Sequence, residues 1–305
     1  MLDLLRLTRF PNLVVVVLTQ LLVHYRIIRP ALDSAGIMGV LTPWKFVELA
    51  LVTLCITLSG YLVNDLVDGR TDAVNRPGDN PVERIGRVTV SWLYCITILG
   101  GYLLSLLLAF RLGERRLLWI FPLAVGLLTL YSTALKRLPA VGNLLVALYC
   151  AGVPGVLVLA ERAGLRQLLA VDPALATNAL RVCALFMVFA FTATLLRELV
   201  KDLEDMHGDA VVGRRTLPVV LGPVTSQRLA YLLGLMVIGA ILAPVMLRWP
   251  GFLEWPMVLC IGILLLLLLS ILYRLSRARR PPEYRSVSQL LKLFLLGGLG
   301  LLAFF

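Results

Sequence analysis

Two short stretches of the chain, NDLVDGRTDAV from Asn64 and KDLEDMHGDAV from Lys201, carry aspartates at the same spacing. The aspartates are Asp65, Asp68 and Asp72 in the first stretch and Asp202, Asp205 and Asp209 in the second. On an α-helix, positions i, i+3 and i+7 lie within a sector of about 60°, so each stretch places its carboxylates on one face. Grouped carboxylates repel one another unless a cation lies between them, and oxygen ligands select hard cations such as Mg²⁺. The spacing therefore predicts two acidic half-sites that bind Mg²⁺.

Basic residues are interleaved with these acids along the sequence. They are Arg70, Arg76, Arg197, Lys201, Arg214 and Arg215. A site that binds a diphosphate needs both features, because Mg²⁺ contacts some phosphate oxygens while Arg or Lys contacts others. The two stretches together are expected to form a Mg²⁺–diphosphate clamp.

The elements that must carry these motifs are membrane helices. The chain is 59% hydrophobic, with a mean hydropathy of +0.90 and only 15% charged residues. Nine hydrophobic segments approach the length of a transmembrane helix, and we place them at 11–28, 44–67, 88–110, 116–135, 140–160, 177–200, 226–247, 255–273 and 288–305. We expect an all-α, polytopic membrane protein in which residues 1–305 form a single domain.

The distribution of basic residues predicts the orientation. About two thirds of the 29 Lys and Arg residues lie on the side that holds the N-terminus, which the positive-inside rule places in the cytoplasm. The net charge of +11 is thus explained by topology, and we expect no nucleic-acid partner. Each aspartate motif lies where an even-numbered span, the second or the sixth, leaves the membrane, so both are expected at the cytoplasmic face. The five cysteines have no metal-type spacing, and two histidines are too few for a His-based metal cluster.

The motifs resemble those of the UbiA superfamily of intramembrane prenyltransferases. The first is similar to the family pattern N-D-x-x-D-x-x-x-D and the second to D-x-x-x-D within a longer acidic run. LRLTRFPNL (5–13) and YSTALKRLPAVGN (131–143) are similar to other family segments. The resemblance implies a nine-helix bundle in the lipid bilayer, with a central cavity under a cytoplasmic cap.

The resemblance also implies roles for individual residues. The implied Mg²⁺ ligands, which are also the catalytic residues, are Asn64, Asp68, Asp72, Asp202, Asp205 and Asp209. The implied substrate-binding residues are Arg9, Asn12, Arg76, Tyr131, Lys136, Asn143, Arg197, Lys201 and Arg214. Asp65 is expected to orient its neighbours rather than to bind metal.

The implied reaction moves a polyprenyl group from its diphosphate to a lipid-soluble acceptor, with Mg²⁺ as cofactor. DAVNRP after the first motif, and RELVKDLEDMHGD with GRRTLP, most resemble a branch that makes ether-lipid precursors. That branch transfers geranylgeranyl to geranylgeranylglyceryl phosphate. Two alternatives remain open on the sequence: an aromatic acceptor such as hydroxybenzoate or naphthoate, and a cation-coupled transporter. The donor chain length and the oligomeric state are not indicated by the sequence.

Overall fold

A computed structural model describes the backbone of residues 2–75 and 81–305, and the side chains of 3–68, 81–136 and 138–305. These residues are almost entirely helical. The α-helices are α1 Leu2–Leu7, α2 Phe10–Val23, α3 Arg29–Ser34, α4 Pro43–Asn75, α5 Pro81–Ile85, α6 Arg87–Leu112, α7 Leu117–Thr133, α8 Val141–Ala160, α9 Arg162–Val171, α10 Pro173–Val211, α11 Leu217–Leu221, α12 Pro223–Met246, α13 Trp255–Arg277 and α14 Pro281–Gly300. A π-helical turn, His24–Ile28, joins α2 to α3, and 3₁₀ turns form at Leu135–Arg137 and Leu301–Phe304.

The described helices confirm a multi-pass, all-α membrane protein. Eight helical segments of the described residues are long and apolar enough to span a bilayer. The remaining predicted span, 116–135, corresponds to α7, which has 17 residues and is shorter than the others. Every predicted segment therefore overlaps a helix, while the count of nine membrane crossings stays a prediction.

Two helices are much longer than a membrane span, and both carry an aspartate motif. A bilayer core about 30 Å thick needs roughly 20 helical residues. Helix α4 has 33 residues and α10 has 39. Each helix therefore continues beyond its apolar segment and carries its motif on the extension. The predicted spans end at 67 and 200, but the helices end only at Asn75 and Val211.

The chain divides into two compact units. The first contains the chain up to Gln20, residues Gly39–Lys136 and the short stretch Ala160–Ala163. In it, α4 packs against α6 and α7. Gly101 on α6 permits this close packing, because a Cβ there would lie 2.6 Å from Cys55 and from the ring of Phe121. The expectation that 1–305 is a single domain stays a prediction.

A buried carboxylate fixes the loop before α4 within the first unit. Glu161, which directly follows α8, is completely buried. Its two carboxylate oxygens accept hydrogen bonds from the backbone N–H groups of Val40 and Leu41, both at 2.8 Å. A buried carboxylate is tolerated only when such donors replace water. Glu161 therefore holds the start of α4 at the end that lies farthest from the aspartate motif.

The second unit contains Leu21–Met38, Arg137–Leu159 and Gly164–Phe305, and it is built around α10. Helix α10 packs against α12 and α14. Its buried residues include Leu196, Leu199 and Leu203, which lie in the part of the helix where the second motif begins. This apolar packing fixes the rotation of α10 about its axis, and therefore the direction of the face that carries the acids.

Candidate active site

The first acidic half-site lies on the extension of α4, in the first unit. Successive residues of a helix turn by about 100°, so one sector of α4 contains Tyr61, Asn64, Asp65 and Asp68. Asp65 and Asp68 are buried, with exposures of 8% and 7%. The predicted ligand Asp72 belongs to the same helix, and its side chain lies outside the described residues, as does the whole of Arg76. Two buried acids on one helix face require cationic partners.

Arg9 supplies one of these partners from the junction between α1 and α2. Its guanidinium donates a hydrogen bond to Oδ1 of Asp65 at 2.8 Å and lies 4.7 Å from the ring centroid of Tyr61. Asn12, one turn along α2, donates from Nδ2 to the Tyr61 hydroxyl at 3.3 Å. Both predicted substrate-binding residues are thus at the motif face. Arg9 has a φ of 48°, and a left-handed backbone at a non-glycine residue costs on the order of 1–3 kcal/mol, a strain that is common at functional sites.

Lys136 is the cationic partner of Asp68. Its Nζ lies 2.5 Å from Oδ1 of Asp68, and both side chains are about nine-tenths buried. Lys136 lies in the 3₁₀ turn that follows α7, and the predicted contact residue Tyr131 is near the end of that helix. The turn therefore brings an ammonium group to the motif carboxylate.

The second half-site lies on the extension of α10, in the second unit. Asp209 is buried at 3% exposure, and Arg214 lies beyond the helix end with its Nη1 3.8 Å from Oδ1 of Asp209. Asp202 accepts a hydrogen bond from Nδ2 of Asn143 on α8 at 2.7 Å. Predicted metal ligands and predicted substrate-binding residues are therefore adjacent here as well.

Glu198 is a residue of this half-site that the sequence did not single out. It precedes Asp202 by four residues, so it lies one turn earlier on the same face of α10. Its carboxylate binds Arg197 at 2.6 Å and Lys201 at 3.3 Å, both of which are predicted substrate-binding residues. The four-residue spacing between Glu198 and Asp202 indicates that they share a helix face. A prediction based on two matched aspartate triplets does not include a glutamate.

The donor chemistry of the half-sites fits a hard divalent cation. The ligand candidates are carboxylate and amide oxygens, and a carboxylate has about four lone-pair positions, so an N–H contact at one oxygen leaves capacity for metal. Among the described side chains, no three His, Cys, Asp or Glu residues are grouped as they would be around a bound metal. The assignment of individual Mg²⁺ ligands therefore stays a prediction.

Comparisons with known proteins give one consistent family. Residues 34–296 match the UbiA prenyltransferase family. The digeranylgeranylglyceryl phosphate synthase of Korarchaeum cryptofilum is 29% identical over 290 residues, which cover 92% of this chain and 95% of that protein. The protein of the same name from Methanopyrus kandleri is 34% identical over 205 residues, 67% of each chain.

Solved structures agree with this match at the level of the fold. A structure described as digeranylgeranylglyceryl phosphate synthase in membranes has a TM-score of 0.64 and 20% identity, and the match covers 99% of this chain and 98% of that one. A UbiA homologue from Archaeoglobus fulgidus bound to DMAPP and Mg²⁺ has a TM-score of 0.52 at 19% identity, with 98% of each chain covered. The resemblance seen in the motifs is confirmed, because the family match covers most of the chain. This protein belongs to the UbiA prenyltransferase family and is a multi-pass membrane prenyltransferase.

Proposed function

We propose that the protein transfers a geranylgeranyl group from its diphosphate to geranylgeranylglyceryl phosphate. One observation carries the proposal: in each half-site, motif acids are in contact with Arg, Lys or Asn side chains from neighbouring segments. Such mixed sites suit a ligand that is bound through metal and through direct contacts to phosphate oxygens. The acceptor is supported by the similarity over nearly the full length to the synthase of Korarchaeum cryptofilum.

Mg²⁺ is the proposed cofactor, held by Asn64, Asp68, Asp72, Asp202, Asp205 and Asp209. When bound, it would neutralise the negative charge that develops on the diphosphate as the allylic C–O bond breaks. Support comes from the Archaeoglobus fulgidus homologue, which is bound to Mg²⁺ together with DMAPP.

The chain's own cations would bind the remaining diphosphate oxygens. Lys136 and Arg9 already contact motif carboxylates in the first unit, and Lys201 and Arg197 contact the Glu198 carboxylate in the second. In the proposed reaction the electron pair of the C1–O bond leaves with the diphosphate. The acceptor hydroxyl forms the new bond to C1, and its proton passes to the released diphosphate. The apolar helices would shield the allylic cation from water.

The phosphate of the acceptor needs a cationic site of its own. Arg214 and Arg215 follow the second motif in the connection after α10, and Arg215 is exposed. We assign them to this phosphate. The proposed location of this connection, the N-terminus and the active site is the cytoplasmic face of the cell membrane, which the distribution of basic residues supports.

The test is a transfer assay with an acceptor panel. Purified protein is incubated with labelled geranylgeranyl diphosphate, Mg²⁺ and, separately, geranylgeranylglyceryl phosphate, hydroxybenzoate or a naphthoate. Mass analysis of the lipid product should show the doubly geranylgeranylated glycerol phosphate, and its formation should stop when a chelator removes Mg²⁺. A prenylated aromatic product would replace the proposed acceptor by the aromatic alternative, and turnover in the presence of chelator would contradict the metal role.

A further inference from the structure

Four acids, not three, lie along one face of the α10 extension. Relative to Glu198, helical geometry places Asp202 at about 40°, Asp205 at about −20° and Asp209 at about 20°. The face therefore begins one turn before the second motif. Glu204 on the same helix lies about 120° away from Glu198 and points in a different direction.

Both carboxylate oxygens of Glu198 bind cations from its own helix. Oε1 accepts a hydrogen bond from Nη1 of Arg197 at 2.6 Å, and Oε2 accepts one from Nζ of Lys201 at 3.3 Å. The Glu198 side chain is only 14% exposed, and that of Arg197 is 18% exposed. One carboxylate therefore fixes two cations next to Asp202.

Both cations need such a partner to be held in place. Lys201 is 37% exposed and its long side chain has many rotamers, so without a partner its ammonium group would sample many positions. The Nε of Arg197 is buried without a hydrogen-bond partner among the described atoms, so the Glu198 contact is the one that orients its guanidinium. An unpaired, partly buried guanidinium would also repel the neighbouring ammonium group.

We propose that Glu198 is a positioning residue that holds Arg197 and Lys201 ready to bind the diphosphate of the prenyl donor. The inference rests on the proposed function and assigns Glu198 neither a metal ligand role nor a substrate contact. A carboxylate placed behind two cations reduces the entropy that those side chains lose when the phosphate binds. It also lowers the repulsion between the two cations in the substrate-free enzyme.

The test compares isosteric variants by steady-state kinetics. Glu198→Gln keeps the shape of the side chain and removes its charge, and Glu198→Asp keeps the charge on a shorter side chain. Glu204→Gln is the matched control, since Glu204 is a carboxylate of the same helix that is paired with Arg285 at 2.8 Å outside the motif face. Each variant is first compared with the wild type by thermal unfolding in detergent.

We expect Glu198→Gln to raise the KM for geranylgeranyl diphosphate about tenfold while kcat stays within about threefold, the pattern of lost ground-state binding. Glu198→Asp should recover part of the loss, and Glu204→Gln should leave both constants unchanged. In a Lys201→Met background, Glu198→Gln should have a clearly smaller effect, because a residue that acts through another is not additive with it.

Several results would overturn the positioning role. They are an unchanged KM in Glu198→Gln, an effect no larger than that of Glu204→Gln, and full additivity with Lys201→Met. If Glu198→Gln does not fold, Glu198→Asp in the same cycle decides between the outcomes. Binding of Mg²⁺-pyrophosphate, measured by calorimetry, separates this inference from the proposed function. A wild type that binds pyrophosphate but makes no lipid product refutes the proposed reaction, whereas equal pyrophosphate affinity in Glu198→Gln refutes the positioning role.

Discussion

Loss of the Lys136 ammonium group should remove a close cationic partner of the buried Asp68 carboxylate. Lys136→Met tests this loss of charge most directly, because Met keeps most of the side-chain volume. The two side chains are 9% and 10% exposed, so solvent screens their attraction only weakly. Breaking a buried ion pair by removing one partner costs about 3–5 kcal/mol. At roughly 2–4 °C per kcal/mol, we expect the melting temperature to fall by about 6–20 °C.

The measurement is thermal unfolding of the purified protein in detergent without divalent cations. Arg84→Met is the control in the same unit: Arg84 is paired with Asp3, and the two side chains are 46% and 39% exposed, so its loss should cost at most about 1 kcal/mol. Adding Asp68→Asn to Lys136→Met should restore most of the lost stability, since the uncompensated charge is then gone. Equal melting temperatures for Lys136→Met and Arg84→Met would refute the reasoning, and so would a double variant that is less stable than Lys136→Met.

Three further predictions concern the motif acids, the packing of α6 and the loop before α4. Replacing Asp68 or Asp209 by Ala should lower prenyl transfer about 10²–10³-fold through lost charge stabilisation, and near-normal turnover of either variant would contradict the proposed metal role. Gly101→Ala should cost about 1–3 kcal/mol by overpacking, because its Cβ would lie 2.6 Å from two side chains; Gly100→Ala, with open space around it, is the control in a comparison of melting temperatures. Glu161→Gln should cost about 1–3 kcal/mol because its NH₂ would face a backbone N–H donor, and an unchanged unfolding curve would show that the loop needs no such acceptor.

Apolar run length was a reliable guide to the helices of this chain. The predicted segments 88–110 and 140–160 correspond to α6, Arg87–Leu112, and α8, Val141–Ala160, within two residues at each end. Helix ends that lie in polar sequence were not predicted. The second and sixth predicted spans stop at 67 and 200, whereas α4 and α10 end at Asn75 and Val211. Hydropathy reports only where a helix leaves lipid, and the backbone hydrogen bonds of a helix continue into water wherever neighbouring segments support them.

The sequence predicted the acids of the site better than their partners. Equal spacing in two distant stretches was sufficient to identify the aspartates. It did not indicate that Lys136 pairs with Asp68 or that Asn143 donates to Asp202, because these contacts join residues far apart in the chain. Glu198 was missed for a different reason, since a search for matched triplets gives no weight to a fourth acid present in only one of them.

The ion pairs of the half-sites change how substitutions of the motif acids must be interpreted. The cations that stabilise buried acids here are also those assigned to the substrate: Arg9 with Asp65, Lys136 with Asp68 and Arg214 with Asp209. Replacing an acid therefore removes a proposed metal ligand or its neighbour and at the same time releases a cation that changes its position. Lost activity in a single variant does not distinguish these two effects. Changing the acid and its cation together separates the contribution of the pair to stability from its contribution to activity, because the double variant should recover stability while both proposed site residues are missing.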